Sequence, residues 1–320
     1  MMETKKILVV LPMKEEQEEF LRKQVEDCEA AYTFTFTDSA RVTEEEIREA
    51  NIILGSLEPP ARLKGAENVE WVQVHYAGAD AYAAPGILQK ETLLTNAVGG
   101  YGLTVSEHML MQTFEMIRRM REYHINQSNR LWKHQGEIAS VEGSTILVLG
   151  MGDIGGAYAR KVKALGAYVI GIRKTNREKP EYVDEQYTLE ELDKVIGRAD
   201  IIAMVLPETP DTIHLMNRER LFLVKPGAFL LNAGRGSAVD LKALQEALDA
   251  GRICRAAIDV TEPEPLPEDH PLWDDPNVII TPHCAGGIDL PETVVRIAGV
   301  MGKNLYAYTH GGELINVVKH

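Results

Sequence analysis

Residues 145–156 read TILVLGMGDIGG, and this stretch decides the fold. A short apolar run predicts a buried strand, and the segment that begins at Asp153 predicts a helix. Between them, Gly150, Gly152 and Gly155 form the pattern GxGxxG. In this context the glycines are typical of a dinucleotide-binding turn, where they permit a tight bend, close approach of a pyrophosphate and close helix–strand packing. The pyrophosphate would lie at the helix N-terminus. The alternative is an ordinary strand–helix turn.

From residue 145 onward, short apolar runs alternate with segments that carry helical signals. One helix is predicted between an Asp240 N-cap and Gly251. Six parallel strands with intervening helices predict an α/β, doubly wound Rossmann domain. The runs assigned to strands are TILVL, YVIGI, IIAMV, AFLLN, RAAID and VIIT.

The first 100 residues also alternate between strand and helix patterns, without a glycine-rich phosphate loop. KEEQEEFLRKQV predicts a helix, and TEEEIREA predicts another, in which Thr43 and Glu46 form a capping box. This part of the chain therefore predicts a second parallel α/β unit. Its strand-like runs are KKILVVLP, AYTFTFT, NIILG, WVQVH and TLLTN.

A single helix is predicted over residues 106–124, after the glycine-rich stretch VGGYG. Its apolar side chains favour one face, which predicts packing against a core or a neighbouring domain. These side chains are Met109, Met116, Ile117 and Met120.

The composition limits the classes of partner. The chain has 320 residues, and its formal net charge of −14 argues against a protein that binds the nucleic-acid backbone. Its cysteines, at positions 28, 254 and 284, have no CxxC spacing, so a reducing compartment is expected. No segment approaches the apolar length of a membrane helix. The expected location is the cytoplasm, without a membrane partner.

The end of the second strand of the Rossmann domain carries Arg173, Lys174 and Thr175. An acid at this position hydrogen-bonds the ribose of NAD. A carboxylate would repel the 2′-phosphate of NADP, whereas a guanidinium can bind it with two hydrogen bonds. These residues therefore favour NADP(H), and NAD(H) beside a solvated arginine is the alternative.

Three later stretches, NAGRG, DVTEPEPLP and TPHCAGG, each follow an apolar strand of the same predicted sheet. The ligand crevice of such sheets lies beyond the carboxyl ends of the strands. We therefore expect Arg235, Glu264 and His283 to converge on one edge, although no two of them are close in sequence.

With these motifs in place, the chain resembles the D-isomer-specific 2-hydroxyacid dehydrogenase family. GMGDIG, LPETPDT, NAGRG, AIDVTEPEPLP and TPHCAGG occur in the order and approximate spacing of that family, and the resemblance covers most of the chain. It implies a hydride transfer between a nicotinamide cofactor and a small 2-keto or 2-hydroxy acid. The departure is Arg173, where NAD-dependent members carry an acid, and it bears on the cofactor rather than on the fold.

The resemblance also implies roles for the converging residues. His283 would give a proton to the carbonyl oxygen and take it back in the reverse direction. Glu264 would favour the imidazolium and fix the ring. Arg235 would hold the substrate carboxylate and polarise the carbonyl. Asp259 would lie near the nicotinamide amide or assist proton balance.

Further contacts are implied by the same resemblance. The backbone N–H groups of Ala77 and Gly78 would bind the substrate carboxylate, or this stretch is a simple turn. GSLE (55–58) would line the pocket for the substrate side chain. The implied cofactor-binding set is Gly150, Met151, Gly152, Asp153, Ile154, Gly155, Arg173, Lys174, Thr175, Leu206, Pro207, Thr212, Ala233, Gly234, Asp259, Ala285 and Gly286.

Several alternatives stay open at this point. Glu262 competes with Glu264, and only the family pattern selects the latter. His75 and His108 are rival acids, interpreted as structural or pocket-lining residues. Cys284 is interpreted as a small buried thiol. The histidines lack close ligand spacing, so no metal site is predicted.

The resemblance implies a discontinuous substrate domain, residues 1–100 and 288–320, with a flavodoxin-like fold. The cofactor domain would be residues 101–287. A homodimer is expected, with residues 103–124 as a possible contact. Two rival functions are a same-fold dehydrogenase for another substrate, such as formate or phosphite, and a non-enzymatic sensor of nicotinamide cofactor.

Overall fold

The computed structural model describes residues 4–175 and 177–320 of the chain. These residues form two compact units, each with its own parallel sheet. The first unit comprises Met1–Tyr101 and Ile288–His320, and the second comprises Gly102–Gly287.

The first unit is built on a parallel five-stranded sheet. Its strand order is β2-β1-β3-β4-β5, which is the order of flavodoxin-like folds. Three of its strands are buried along most of their length, as expected for a sheet covered on both faces. The elements are β1 (Lys5–Val10), α1 (Glu15–Lys23), β2 (Tyr32–Thr37), α2 (Glu44–Glu49), β3 (Ile52–Gly55), β4 (Trp71–Gln73) and β5 (Leu93–Thr95).

The predicted start of α2 is confirmed. The Thr43 hydroxyl accepts a hydrogen bond from the Glu46 backbone N–H at 3.2 Å, and the Glu46 carboxylate accepts one from the Thr43 backbone N–H at 2.8 Å. This reciprocal pair satisfies two backbone donors that the first helical turn leaves free.

The second unit is built on a parallel sheet of seven strands within the part of the chain that is described. Its order is β12-β11-β10-β9-β6-β7-β8. Counted from β6, this is the Rossmann order 3-2-1-4-5-6 with one further strand beyond the sixth. The elements are α3 (Gly102–Ile117), α4 (Met120–Ser128), β6 (Thr145–Leu149), α5 (Asp153–Ala164), β7 (Tyr168–Arg173), β8 (Glu185–Thr188), α6 (Leu192–Val195), β9 (Ile201–Met204), α7 (Arg218–Leu223), β10 (Ala228–Asn232), α8 (Leu241–Asp249), β11 (Ile253–Ile258) and β12 (Val278–Ile280).

The apolar runs of the sequence predict six of these strands but not β8. The β8 sequence is EQYT, and all four residues are only half-buried, because β8 pairs with β7 alone at the edge of the sheet. An edge strand can be polar, so it lacks the apolar run by which the other strands were recognised.

The prediction of one helix over residues 106–124 was wrong. The helix begins earlier, at Gly102, and ends at Ile117, and α4 begins at Met120. Arg119 separates the two helices, with a left-handed φ of +59°. The predicted apolar face holds for Met109, Met116 and Ile117, which are buried, but the Met120 side chain beyond the break is exposed.

The last helix, α9 (Pro291–Thr309), belongs to the first unit. Gly302 lets it approach α1 closely, because a Cβ at this position would lie 2.4 Å from the Phe20 ring. Its Asn304 side chain donates a hydrogen bond to Gln73 at the end of β4. The residues after 287 therefore complete the core around the first sheet. None of the described helices is both long enough and apolar enough to cross a lipid bilayer.

Candidate active site

The carboxyl end of the second sheet gathers the motifs singled out in the sequence. Because all its strands are parallel, the loops that follow β6, β7, β9, β10, β11 and β12 leave from the same edge. These loops carry GMGDIG, RKT, LPETPDT, NAGRG, DVTEPEPLP and TPHCAGG. The candidate site therefore consists of loops that lie along this edge of the sheet.

In the glycine loop after β6, the backbone requires two of the three motif glycines. Gly150 has φ +100°, and a Cβ there would lie 2.6 Å from the Val205 carbonyl oxygen. A Cβ at Gly155 would lie 1.9 Å from the Gly150 oxygen, so this glycine is needed for close helix–strand packing. Gly152 differs, because apart from its neighbours along the chain no described protein atom lies within 4 Å of the place its Cβ would take. The space beside Gly152, at the N-terminus of α5, therefore fits a pyrophosphate.

The end of β7 carries the basic group identified in the sequence. Arg173 is its last residue, and its Nε atom is buried without a hydrogen-bond partner among the described residues. Lys174 and Thr175 are exposed beyond it, and the Lys174 ammonium lies 3.4 Å from the Asp211 carboxylate. A buried guanidinium nitrogen that lacks a partner fits an anionic ligand at this edge.

The LPETPDT turn after β9 is fixed by its own hydroxyl. The Thr212 side chain donates to the Pro207 carbonyl at 2.7 Å and is 5 % exposed. A Cβ at Gly234 would lie 2.7 Å from the Leu206 nitrogen, so the turn packs directly against the loop after β10. Leu206 thus lies beside Gly234, whereas Pro207 and Thr212 belong to the same turn as Leu206, and Ala233 precedes Gly234 in the loop after β10.

The loop that carries Arg235 is held by Asn232 at the end of β10. The Asn232 amide donates to the Arg235 carbonyl at 2.9 Å, and its oxygen accepts from the Gly234 N–H at 3.1 Å. The Arg235 guanidinium is half-buried and donates to the Gly234 carbonyl. At Gly236, a Cβ would lie 2.0 Å from the Thr261 carbonyl oxygen. The loops after β10 and β11 are therefore in direct contact.

His283 and Glu264 form the pair expected from the sequence. The His283 Nδ1 atom lies 3.0 and 3.1 Å from the two Glu264 carboxylate oxygens, and both side chains are about half exposed. Nδ1 donates to the carboxylate, which leaves Nε2 for proton exchange with a ligand. The structure pairs Glu262 with His214 instead, at 3.8 Å, so Glu264 is the acid that contacts His283.

The His283 backbone adopts a conformation that is rare for a histidine, with φ +50°. Its N–H donates to the backbone carbonyls of Asp259 at 2.8 Å and Thr281 at 3.0 Å, and these bonds maintain the conformation. A strained backbone of this kind persists where the surroundings fix it, and it is frequent at functional sites.

The buried Asp259 side chain organises the loop after β12. One carboxylate oxygen accepts from the Thr281 hydroxyl at 2.6 Å and from the Cys284 backbone N–H at 3.1 Å. The other accepts from the Ala285 backbone N–H at 3.1 Å. These contacts position residues 281–285 around His283. The expected place of Asp259 near the nicotinamide stays a prediction.

The interpretation of Cys284 as a buried thiol was wrong, because the residue is exposed. Its sulfur lies 3.8 Å from an Asp259 oxygen rather than in an apolar pocket. Partial desolvation and the negative charge of Asp259 raise the pKa of the Cys284 thiol. The thiol therefore stays protonated at neutral pH.

The two rival histidines occupy different surroundings. His75 belongs to the first unit, and burial lowers the pKa of its ring to about 4. It is neutral at neutral pH, which is unsuitable for a proton donor. The His108 Nε2 atom lies 3.3 Å from the Thr281 hydroxyl and 3.7 Å from Asp259. His108 thus contacts the loop that carries His283.

The predicted carboxylate-binding turn lies in the first unit. Ala77 and Gly78 are half-buried on the loop that follows β4, whereas Arg235 lies in the second unit. The Ser56 hydroxyl accepts a hydrogen bond from the His75 N–H at 3.2 Å, so the GSLE and HYAGAD loops are neighbours. The remaining members of the predicted cofactor set lie on the glycine loop and after β12: Met151, Asp153, Ile154, Ala285 and Gly286.

Sequence reasoning missed the residues that hold these loops. Asn232 and Thr281 were present in the quoted motifs, but neither was assigned a role. Gln112 of α3, which donates to the Thr281 hydroxyl at 3.1 Å, had no motif to mark it. A buried polar residue at the end of an apolar strand is the signal that would have identified Asn232, which is 1 % exposed.

Comparison with known proteins decides the family. Residues 110–285 match the model of the D-isomer specific 2-hydroxyacid dehydrogenase NAD-binding domain. The chain belongs to the D-isomer specific 2-hydroxyacid dehydrogenase family. The sequence resemblance and the two-unit α/β fold class are thereby confirmed, and the family is one of oxidoreductases.

Individual relatives agree with this membership. A glyoxylate reductase of Korarchaeum cryptofilum is 30% identical over 294 residues, which cover 88% of this chain and 86% of the relative. A family member from Aeromonas salmonicida superposes with a TM-score of 0.84 at 32% identity, over 98% of both chains. An NADPH-dependent glyoxylate/hydroxypyruvate reductase of Sinorhizobium meliloti, solved with NADP and sulfate, gives a TM-score of 0.79 at 26% identity, also over 98% of both.

Proposed function

We propose that this protein is an NADP(H)-preferring reductase that interconverts a small 2-keto acid and the corresponding D-2-hydroxy acid. The observation that carries the proposal is the pair formed by His283 and Glu264. It lies on the same sheet edge as the open glycine loop and the unpartnered guanidinium nitrogen of Arg173. A proton carrier, a phosphate cradle and a basic 2′-phosphate site are the parts that such a reaction needs.

The roles of the residues follow from their chemistry. A bound nicotinamide cofactor supplies or accepts the hydride. His283 Nε2 gives a proton to the carbonyl oxygen during reduction and removes it during oxidation, while Glu264 stabilises the protonated ring. The Arg235 guanidinium holds the substrate carboxylate.

The preference for NADP(H) rests on charge. Arg173 and Lys174 stand where a ribose-binding acid would be, and a guanidinium binds a phosphate with two hydrogen bonds. The Sinorhizobium meliloti relative is described as NADPH-dependent, which supports the same choice for this chain. Glyoxylate and hydroxypyruvate, named for the relatives, are the first substrates to test.

The decisive experiment measures the oxidation of NADPH and of NADH with a panel of 2-keto acids, followed by absorbance. We expect turnover with a small 2-keto acid and a higher kcat/KM for NADPH. Reduction of NADP⁺ or NAD⁺ by formate or phosphite, without oxidation of NADPH or NADH by any keto acid, would show that the substrate is not a keto acid. Cofactor binding without turnover of any substrate would indicate a sensor.

The proposed preference for NADP(H) is tested separately by a substitution of Arg173. Replacing Arg173 by Ala removes a charged hydrogen bond, which contributes roughly 1.5–3 kcal/mol, so the KM for NADPH should rise roughly ten- to a hundredfold. Arg218→Ala, an exposed arginine paired with Glu246 elsewhere in the second unit, is the matched control. Equal use of both cofactors by the unmodified protein would contradict the assignment.

A homodimer through α3, α4 and the segment after them completes the proposal. This region exposes a series of large apolar side chains that water-exposed helices rarely present together. They are Met111, Phe114, Met120, Ile125, Leu131, Trp132 and Ile138.

A further inference from the structure

His108, Asp259 and Cys284 lie close together at the loop that carries His283, although His108 and Asp259 are far from it in sequence. The proposed reaction does not use the three side chains together. The His108 Nε2 atom lies 3.7 Å from an Asp259 carboxylate oxygen, and the Cys284 sulfur lies 3.8 Å from the same oxygen. All three potential ligand atoms lie within 4.8 Å of one another. The fold alone brings them together, from α3, the end of β11 and the loop after β12.

The charge balance of this cluster is incomplete. Asp259 is 2 % exposed, and a carboxylate removed from water is costly unless a positive charge compensates it. Within residues 4–175 and 177–320, the one basic side chain at ion-pair distance from Asp259 is His108. The Asp259 hydrogen bonds come from neutral donors: a hydroxyl, a thiol and two backbone N–H groups. A cation at this place would supply the missing charge.

The spacing fits a small tetrahedral cation. Zn²⁺ binds sulfur at about 2.3 Å, and nitrogen and oxygen at about 2.0–2.2 Å. Tetrahedral angles then separate the nitrogen and oxygen ligands by about 3.4 Å, and the sulfur and oxygen ligands by about 3.6 Å. The two observed distances to Asp259, 3.7 and 3.8 Å, exceed these by only a few tenths of an ångström, and the third pair, the His108 nitrogen and the Cys284 sulfur, lies within 4.8 Å. A small movement of exposed Cys284 closes the difference.

We propose that His108, Asp259 and Cys284 form a binding site for a thiophilic divalent cation of the Zn²⁺ class. The thiolate and imidazole select such a cation over Mg²⁺ and Ca²⁺, which prefer oxygen ligands. Binding exchanges the Cys284 thiol proton for the metal. The proton passes to solvent and no atom is oxidised or reduced. Three protein ligands leave the fourth position to water.

The position of the site gives binding a consequence. Asp259 holds the 281–285 loop through Thr281 and the backbone N–H groups of Cys284 and Ala285. A cation that recruits the Cys284 sulfur pulls this loop toward His108, and His283 is the neighbouring residue. Occupancy should therefore inhibit any reaction that depends on the His283–Glu264 pair, and a chelator should restore it.

The test measures binding without cofactor or substrate, so it does not depend on the proposed reaction. Chelator-treated protein is titrated with Cd²⁺ or Co²⁺, and the sulfur-to-metal absorption band is recorded. We expect one equivalent to produce the band and Mg²⁺ to produce none. The double variant Cys28→Ser, Cys254→Ser keeps Cys284 as the one thiol and should retain the band. Cys284→Ser should lose it.

A variant of His108 tests cation binding with Cys284 left unchanged. His108→Gln keeps a polar side chain but removes the imidazole ligand, and it should weaken Cd²⁺ binding at least tenfold, by analogy with losses from altered metal sites. Circular dichroism of each variant checks the fold. A band that survives in Cys284→Ser, or disappears in the Cys28 and Cys254 double variant, overturns the proposal. So does unchanged affinity in His108→Gln.

Discussion

At the scale of single residues, the contact between His283 and Glu264 decides the proposed chemistry. His283→Asn removes the proton carrier, and general acid–base catalysis contributes roughly a hundred- to ten-thousandfold, so kcat should fall by about this factor. Glu264→Gln keeps an oxygen beside Nδ1 but removes the charge that stabilises the protonated ring. The loss of a charged hydrogen bond, about 1.5–3 kcal/mol, predicts a fall in kcat of roughly ten- to a hundredfold.

The neighbouring glutamate provides the control for this prediction. Glu262 contacts His214 and is exposed, so Glu262→Gln should change kcat by no more than about twofold, as usual for surface positions. Steady-state kinetics of the three variants with the active keto acid measure the effect. Equal kcat values for Glu264→Gln and Glu262→Gln would show that the His283 contact does not act in catalysis.

The residue scale also shows what sequence alone could establish about the site. Arg235, Glu264 and His283 are predicted to belong to one site because each follows a strand of one parallel sheet, and the loops after parallel strands leave from the same edge. The choice between Glu262 and Glu264 depends on the family pattern. Both glutamates lie in one loop and have the same chemistry, and only the loop conformation decides which side chain contacts His283. The proposed metal ligands carry no sequence signal, because they share no spacing and come from α3, the end of β11 and the loop after β12.

At the scale of elements, the glycine loop and α5 make a prediction that separates binding from folding. A Cβ at Gly152 enters open space in the protein. In the proposed cofactor complex it would meet the pyrophosphate. Overpacking costs about 1–3 kcal/mol, so Gly152→Ala should raise the KM for NADPH roughly five- to a hundredfold. The free energy of unfolding without cofactor should change little.

Gly155→Ala is the contrasting variant in the same loop. Its Cβ would lie 1.9 Å from the Gly150 carbonyl oxygen, so α5 must shift from β6, and the stability should fall by about 1–3 kcal/mol or more. Urea unfolding gives the free energy of unfolding of each variant, and NADPH titration gives the cofactor affinity of each variant. If Gly152→Ala destabilised the protein as much as Gly155→Ala, the loop would have a structural role alone.

The secondary-structure elements that the sequence predicts correctly are mostly the buried ones. The buried strands of both sheets have apolar runs, and Thr43 and Asp240 mark helix starts by side chains that accept backbone hydrogen bonds. Edge strand β8 is polar and was missed. The break at Arg119 was also missed, because the apolar period continues through it. It is fixed by distant contacts, including the Arg255–Glu122 ion pair at 2.8 Å, which joins β11 to α4.

At the scale of the whole molecule, the exposed apolar side chains around α3 and α4 predict a dimer. Trp132 is fully exposed, and Leu131 beside it is 53 % exposed. Burying an apolar side chain stabilises by about 1.5–3 kcal/mol, so replacing both residues by Asp should raise the dimer dissociation constant at least a hundredfold. Sedimentation or light scattering should give twice 35.6 kDa for the unmodified protein and half that value for the variant. Leu223→Asp, at an exposed position of α7 in the same unit, should stay dimeric. Dissociation of this control would show that added charge alone separates the subunits. A monomeric unmodified protein would contradict the prediction.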